Sequence, residues 1–168
     1  KKSKDELFRK EDNIIFVAIA AAADDAGAEN TPVTVATASF DMAYLADQFA
    51  IVEAYGLRVD KIFLNAGSYA PFRKAGRDYV DFETQRELLR TGFLGLIWGA
   101  EIFTSPEVQA SKIYLVTEPE YFGVIPVRID LTVLPADDPV ARKFGWSVFE
   151  AIGIGIHNTK GLHQITLT

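Results

Sequence analysis

Hydrophobic and polar positions are patterned most clearly in the last third of the chain, residues 116–156, where two extended apolar segments flank a polar loop. The second segment contains too many glycines for a helix and is too apolar for a linker. The pattern predicts a long antiparallel strand pair that closes a domain, with strands over residues 124–134 and 145–157 and a loop over residues 135–143.

Two helices are predicted in the first part of the chain. Residues 5–23 begin charged and continue apolar, and Ser3 is followed three residues later by Glu6, the spacing of a capping box. A second helix, capped by Ser39 or Thr37, extends through residue 54 and is stopped by a left-handed glycine at position 56. Its apolar residues have helical spacing and indicate one buried stripe: Met42, Leu45, Phe49 and Val52.

Short apolar runs elsewhere predict further strands, because they are rich in β-branched and aromatic residues. These runs are residues 33–35, 61–65, 94–98, 101–104 and 113–117. The turn between the third and fourth of them contains Gly99 and Ala100. Helices therefore crowd the first half and strands the second, which predicts an α+β fold without the regular alternation of a doubly wound sheet.

Two shorter helical segments are predicted in the middle of the chain. Ser68 is expected to cap a helix over residues 69–75, where Pro71 is tolerated in the first turn and Gly76 ends the helix. Residues 83–90 are compatible with a further helix.

Composition narrows the class of protein. A chain of 168 residues can bury roughly 70% of its unfolded surface as one domain, so it needs no disulfide or metal for stability. Cysteine is absent, which excludes thiol catalysis and cysteine-ligated zinc. The net charge of -6 argues against broad electrostatic binding of nucleic acid. The apolar run over residues 14–23 is too short to cross a membrane.

The residues that could carry chemistry are better explained as structural. Only His157 and His163 offer imidazole chemistry, and no serine lies in a G-x-S-x-G turn. The acidic pairs at 24–25 and 137–138 lack the ligand spacing of a calcium loop and fit caps and turns. Gly153 and Gly155 precede no helix, so they indicate bends in a strand instead of a phosphate-binding loop. These patterns predict no catalytic residue, no cofactor and no metal.

Residues 92–157 contain a series of strand patterns: a glycine-rich strand pair (TGFLGLIWGAEIFTS), a strand leading to a Pro-Glu-Tyr turn (IYLVTEPEYFGVIPVRIDLTV), a polar loop (LPADDPVARKFG) and a closing strand (WSVFEAIGIGIHN). This series resembles the C-terminal portion of the Hong Kong 97-type phage major capsid protein family. The motif RKEDNIIF in the first helix is similar to the end of the family's long spine helix, in phage capsids and in the encapsulin shells that share the fold.

The resemblance implies a division into domains. Residues 1–30 would be the end of the spine helix in a peripheral-type domain, residues 31–116 mostly an axial-type domain, and residues 117–168 the closing peripheral-type strands and a C-terminal tail. The family's N-terminal arm and extended hairpin loop are not found in this sequence, so we expect the core of a processed or truncated product. Some members cross-link subunits through a lysine, an asparagine and an acid. Residues 142–145 contain no asparagine, so we expect no cross-link and an exposed strand position for Glu150, the nearest acid.

The function implied by the resemblance is structural and not enzymatic. The protein is expected to assemble in the host cytoplasm into pentamers and hexamers of an icosahedral virion capsid, without specific nucleic-acid recognition or membrane contact. The residues predicted to contact other subunits are Arg9, Asp12, Asp137, Asp138, Arg142, Phe144 and Trp146. Two alternatives stay open: an encapsulin-type compartment around a cargo enzyme, and a small hydrolase or ligand-binding domain that uses the acidic loop and His157.

Overall fold

The computed structural model describes residues 2–73, 95–136 and 145–168, with side chains from residue 5 onward. The helices are α1 (Lys2–Ala23), α2 (Met42–Glu53), α3 (Ala70–Arg73) and α4 (Pro119–Phe122), and single 3-10 turns cover Ala66–Tyr69 and Thr159–Gly161. The strands are β1 (Val33–Val35), β2 (Val59–Leu64), β3 (Leu96–Ile97), β4 (Ala100–Thr104), β5 (Lys112–Thr117), β6 (Gly123–Val124), β7 (Val127–Pro135), β8 (Trp146–Ile152), β9 (Gly155–Ile156) and β10 (Leu162–Leu167). The predicted α+β class is confirmed.

A six-stranded mixed sheet forms the centre of the molecule, in the order β1-β10-β5-β2-β4-β3. The pairs β1–β10 and β2–β4 are parallel, and the other neighbouring strands are antiparallel. Strand β10 lies inside this sheet, where Ile165 pairs with Val33 on one side and Ile113 on the other. The sequence analysis placed these last residues in a tail and missed the strand, whose burial depends on contacts with distant parts of the chain.

Helices cover both faces of the sheet, because the inner strands carry apolar side chains on both faces. On β5, Ile113 and Leu115 point to the face covered by α2, whereas Tyr114 and Val116 point to the face covered by α1. The predicted stripe of α2 is buried as expected. The second half of α1 is buried through Phe16, Ile19, Ala20 and Ala23, while its first half is largely exposed. None of the described helices is long and apolar enough to cross a membrane.

The two long closing strands are each divided in the structure. Pro126 separates β6 from β7 and cannot donate a ladder hydrogen bond, and the carbonyl of Pro126 accepts from the Gly153 N–H at 2.9 Å. The short strands β6 and β9 therefore pair with each other, and β7 and β8 form a separate antiparallel ribbon. The predicted strand pair is confirmed, and the two interruptions divide it into a short base and a long ribbon.

The predicted helix caps were wrong in three places. Asp41 caps α2, since its Oδ1 accepts from the Tyr44 N–H at 2.8 Å. Asn65 caps the first 3-10 turn, and Ser68 is buried within that turn. Helix α1 already begins at Lys2, so Ser3 lies inside it. In each case the helical turn begins at a residue other than the one indicated by the capping preference of serine and threonine.

The turns predicted at two glycines agree with the backbone angles. Gly56 has a φ of 75°, as predicted for a left-handed helix stop, and Gly99 has a φ of 84° in the turn between β3 and β4. That turn also contains Trp98, with a φ of 48°, while Ala100 already belongs to β4. The predicted helix end at Gly76 and the predicted helix over residues 83–90 lie outside the described residues.

Candidate subunit-contact surface

The ribbon of β7 and β8 is the most exposed apolar element of the described structure. Val133 pairs with Val148, and Pro135 pairs with Trp146 at the end far from the core. Trp146 is 73% exposed, more than any other large hydrophobic residue among those described, and Val127 and Leu134 are also exposed. A two-stranded ribbon is marginally stable alone, and open strand edges with apolar side chains favour association with another chain.

An apolar groove lies at the opposite end of the ribbon, where β6 and β9 meet α1 and the main sheet. Its volume is about 260 Å³. Most of its lining is aliphatic or aromatic and includes Ile15, Ile19, Phe122, Val124, Ile154 and Ile156. The whole lining comes from four separate stretches of the chain, which are α1, β2, residues 116–125 and residues 154–156, so no local pattern revealed the groove.

The predicted subunit-contact residues fall in different places. Trp146 stands at the far end of the ribbon, as described above. On α1, the Arg9 Nε lies 3.4 Å from the Glu107 Oε1, and Asp12 is exposed. Arg9 thus faces the loop after β4. The other four, Asp137, Asp138, Arg142 and Phe144, lie outside the described residues, and all seven stay predictions.

Helix α1 meets the ribbon through two carboxyl groups. Glu11 lies beside Glu150 of β8. Partial burial is the largest cause that raises the pKa of Glu11 above its ordinary value, and the charge of Glu150 and a hydrogen bond with it raise this pKa further. The nearby charge of Asp12 acts in the same direction. Glu150 is half-buried, so the expectation of an exposed strand position was wrong: its neighbour on α1 shields it.

The two histidines have different environments, and neither belongs to an arrangement that resembles a catalytic site within the described residues. His157 is exposed, whereas His163 is buried between β10 and α2. Its Nε2 lies 2.9 Å from the Gln48 Oε1, which can only accept, so Nε2 carries the proton. The other ring nitrogen, Nδ1, has no hydrogen-bond partner within the described part of the chain. Burial lowers the pKa of His163 below its ordinary value.

Acidification is expected to destabilise the fold through His163. Above a pH of about 6.5 both the folded and unfolded states carry a neutral imidazole. As the pH falls below that value, the unfolded state binds a proton that the folded state resists, so the free energy of unfolding decreases until the lower folded pKa is reached. Urea unfolding of His157→Gln at several pH values should retain this decrease, and His163→Gln should lose it. An equal pH dependence in both variants would contradict the assignment.

The first acidic pair has a structural role at the end of α1. The Asp24 carboxylate accepts from the Lys112 Nζ and from the Gln164 Nε2, both at 3.0 Å, and ties α1 to β5 and β10. Burial, together with the charge of Asp24, raises the pKa of Tyr114 to about 12. Asp25 Oδ1 accepts from the Gly27 N–H in a turn, as its position after the helix predicts. No group of three or more potential metal ligands occurs among the residues that the structure describes.

Several solved structures have a similar fold. The chain is similar to a virus-like particle from Pyrococcus furiosus, with 16% sequence identity and a TM-score of 0.66 over 98% of this chain and 64% of the other. It is similar to a structure of Mycobacterium phage Che8, with 14% identity and a TM-score of 0.72 over 96% and 60%. A third similar structure, the capsid of an empty GTA particle, gives 14% identity and a TM-score of 0.58 over 98% and 66%.

The likeness confirms the fold expected from the resemblance to Hong Kong 97-type capsid proteins. The likeness is found by comparing structures alone. No family model matches the sequence, and no curated protein matches it. The chain spans roughly two thirds or less of the length of each of these structures. The fold is therefore one that also occurs in capsid and virus-like-particle structures, and the division into peripheral and axial domains stays a prediction.

Proposed function

We propose that the protein is a structural subunit that self-associates into an icosahedral virion capsid enclosing a genome. The observation that carries the proposal is the exposed apolar ribbon of β7 and β8 on a fold shared with capsid and virus-like-particle structures. An isolated subunit gains nothing from exposing Trp146, Val133 and Leu134 to water, whereas association would remove this apolar surface from solvent.

Pentamers and hexamers assembled in the host cytoplasm are the arrangement that we propose, with contacts at the ribbon and at the sequence-predicted residues of α1 and the polar loop. A net charge of -6 is compatible with such a shell, since tight electrostatic binding of the genome is not needed to enclose it. The proposed role is structural, and we assign no catalytic group to it.

Electron microscopy of the whole protein after expression tests this function. We expect closed icosahedral particles, and sedimentation velocity should show one large species in equilibrium with small oligomers. A protein that sediments as a monomer at concentrations near 1 mM, well above the about 1 µM scale of moderate protein–protein affinities, would overturn the proposal.

A compartment around a cargo enzyme is the second candidate, because the virus-like particle from Pyrococcus furiosus shows that shell structures with this fold are not all described as phage capsids. The contents of purified particles discriminate the two functions. Nucleic acid protected from nuclease would support the capsid, while a single co-purifying enzyme without nucleic acid would support the compartment.

A further inference from the structure

We propose that Trp146 of one copy of the chain binds in the apolar groove at the base of the ribbon of a second copy. The inference deepens the proposed function, because it names one contact through which the subunits would associate. It rests on two features that the structure leaves unsatisfied, a large exposed aromatic side chain and an apolar groove.

The two features match in size and chemistry. An apolar cavity of about 150 Å³ accommodates benzene, so the groove of about 260 Å³ has room for the larger indole ring. Its walls offer aliphatic and aromatic contacts from Ile15, Phe122 and Ile154. Tryptophan is also one of the residue types enriched among the side chains that dominate the binding energy of protein–protein interfaces, and such side chains lie in desolvated pockets.

The occupant must come from another chain, because Trp146 cannot reach its own groove. The groove is lined by Val124 and Ile125, immediately before β7, whereas Trp146 pairs with Pro135 at the opposite end of that strand. Eight residue steps of extended strand separate Val127 from Pro135, a distance of roughly 26 Å at about 3.3 Å per residue. This span far exceeds the length of a side chain.

Such a contact also has the symmetry that a ring requires. The inserted side chain and the groove belong to different surfaces of the molecule, so the interface is heterologous, and each copy can bind one neighbour and be bound by another. Heterologous interfaces close into rings when the rotation between copies allows it. Pentamers and hexamers are rings of this kind.

Two single variants separate the contact into its halves. Trp146→Ser removes the inserted side chain and keeps the groove, and Val124→Asp places a charge in the groove and keeps the tryptophan. Both positions are exposed, at 73% and 52%, so both variants should unfold at the temperature of the wild type. We expect each to require at least about tenfold more protein for half-maximal association in sedimentation velocity, the effect of losing an interface hot spot.

Mixing the two variants provides the sharper test. Each pair of unlike copies retains one intact contact, formed by the tryptophan of Val124→Asp and the groove of Trp146→Ser. We expect the mixture to form 1:1 pairs at concentrations at which each variant alone is monomeric. Val17→Asp is the matched control, since Val17 is 57% exposed on α1 and does not line the groove. It should associate like the wild type.

The outcomes distinguish this inference from the proposed function. A wild-type protein that does not associate would refute the function itself. If the wild type associates and Trp146→Ser associates equally well, the function stands and the inference is wrong. If only Val124→Asp is impaired and the mixture forms no pairs, the groove binds something other than Trp146. Equal loss in Val17→Asp and Val124→Asp would attribute the effect to added charge and overturn the groove assignment.

Discussion

Replacing Ile165 with alanine is expected to lower the free energy of unfolding by about 2–5 kcal/mol, the usual cost of truncating a fully buried isoleucine. Ile165 is 0% exposed and lies on β10, between β1 and β5. The residual cavity would face α2 and the apolar side chains of neighbouring strands. Since a domain of this kind is stable by only about 5–15 kcal/mol, the loss is a large fraction of the total.

Ile14→Ala is the matched control for this prediction. It makes the same truncation at a position on α1 that is 53% exposed, and its effect should stay within about 0.5 kcal/mol. Urea unfolding followed by circular dichroism gives both values. If Ile165→Ala were as mild as Ile14→Ala, β10 would behave as part of a C-terminal tail, as the sequence analysis expected, and its central place in the sheet would be wrong.

The elements predicted correctly are those whose buried residues can be recognised from the spacing of apolar residues within one segment of the chain. The stripe of α2 repeats along one helix face, and β5 is a continuous run of apolar and aromatic residues, so both were visible without tertiary contacts. Strand β10 was missed because His163, Gln164 and Thr166 interrupt its apolar residues. The first two are nonetheless buried, since distant residues bond one nitrogen of each: Gln48 pairs with the His163 Nε2, and Asp24 accepts from the Gln164 Nε2.

The candidate site divides in the same way. A tryptophan at the start of a closing strand, beside a polar loop, is a local feature, so Trp146 could be named from the sequence as a candidate contact residue, and that role stays a prediction. The groove is not local, because its walls come from α1, β2, β5 and the segments on either side of the ribbon. Only the folded chain brings these walls together, and the division of the closing strands at Pro126 and Gly153 determines where they meet.

Replacing Gly123 with alanine is expected to cost about 1–3 kcal/mol, as overpacking does in a region with no room to relax. A Cβ at this position would lie 2.6 Å from the carbonyl oxygen of Gly155 and 3.3 Å from the Cα of Ile156. Both atoms belong to the backbone of β9, so β6 and β9 must separate for the methyl group to fit. The backbone at Gly123 is extended, and the cost therefore arises from the close approach of the two strands.

Gly155→Ala provides the comparison, because the same methyl group on the facing strand meets its nearest neighbours at an ordinary 3.7 Å. That variant should be neutral or stabilise the fold by up to about 1 kcal/mol through the reduced entropy of the unfolded chain. Hydrogen exchange at His157, whose N–H donates to the Phe122 carbonyl at 3.0 Å, should accelerate in Gly123→Ala and not in Gly155→Ala. If the two variants had similar unfolding free energies and similar exchange rates, the pairing of β6 with β9 would not hold the base of the ribbon against α1. The walls of the groove would then not be fixed by this strand pair.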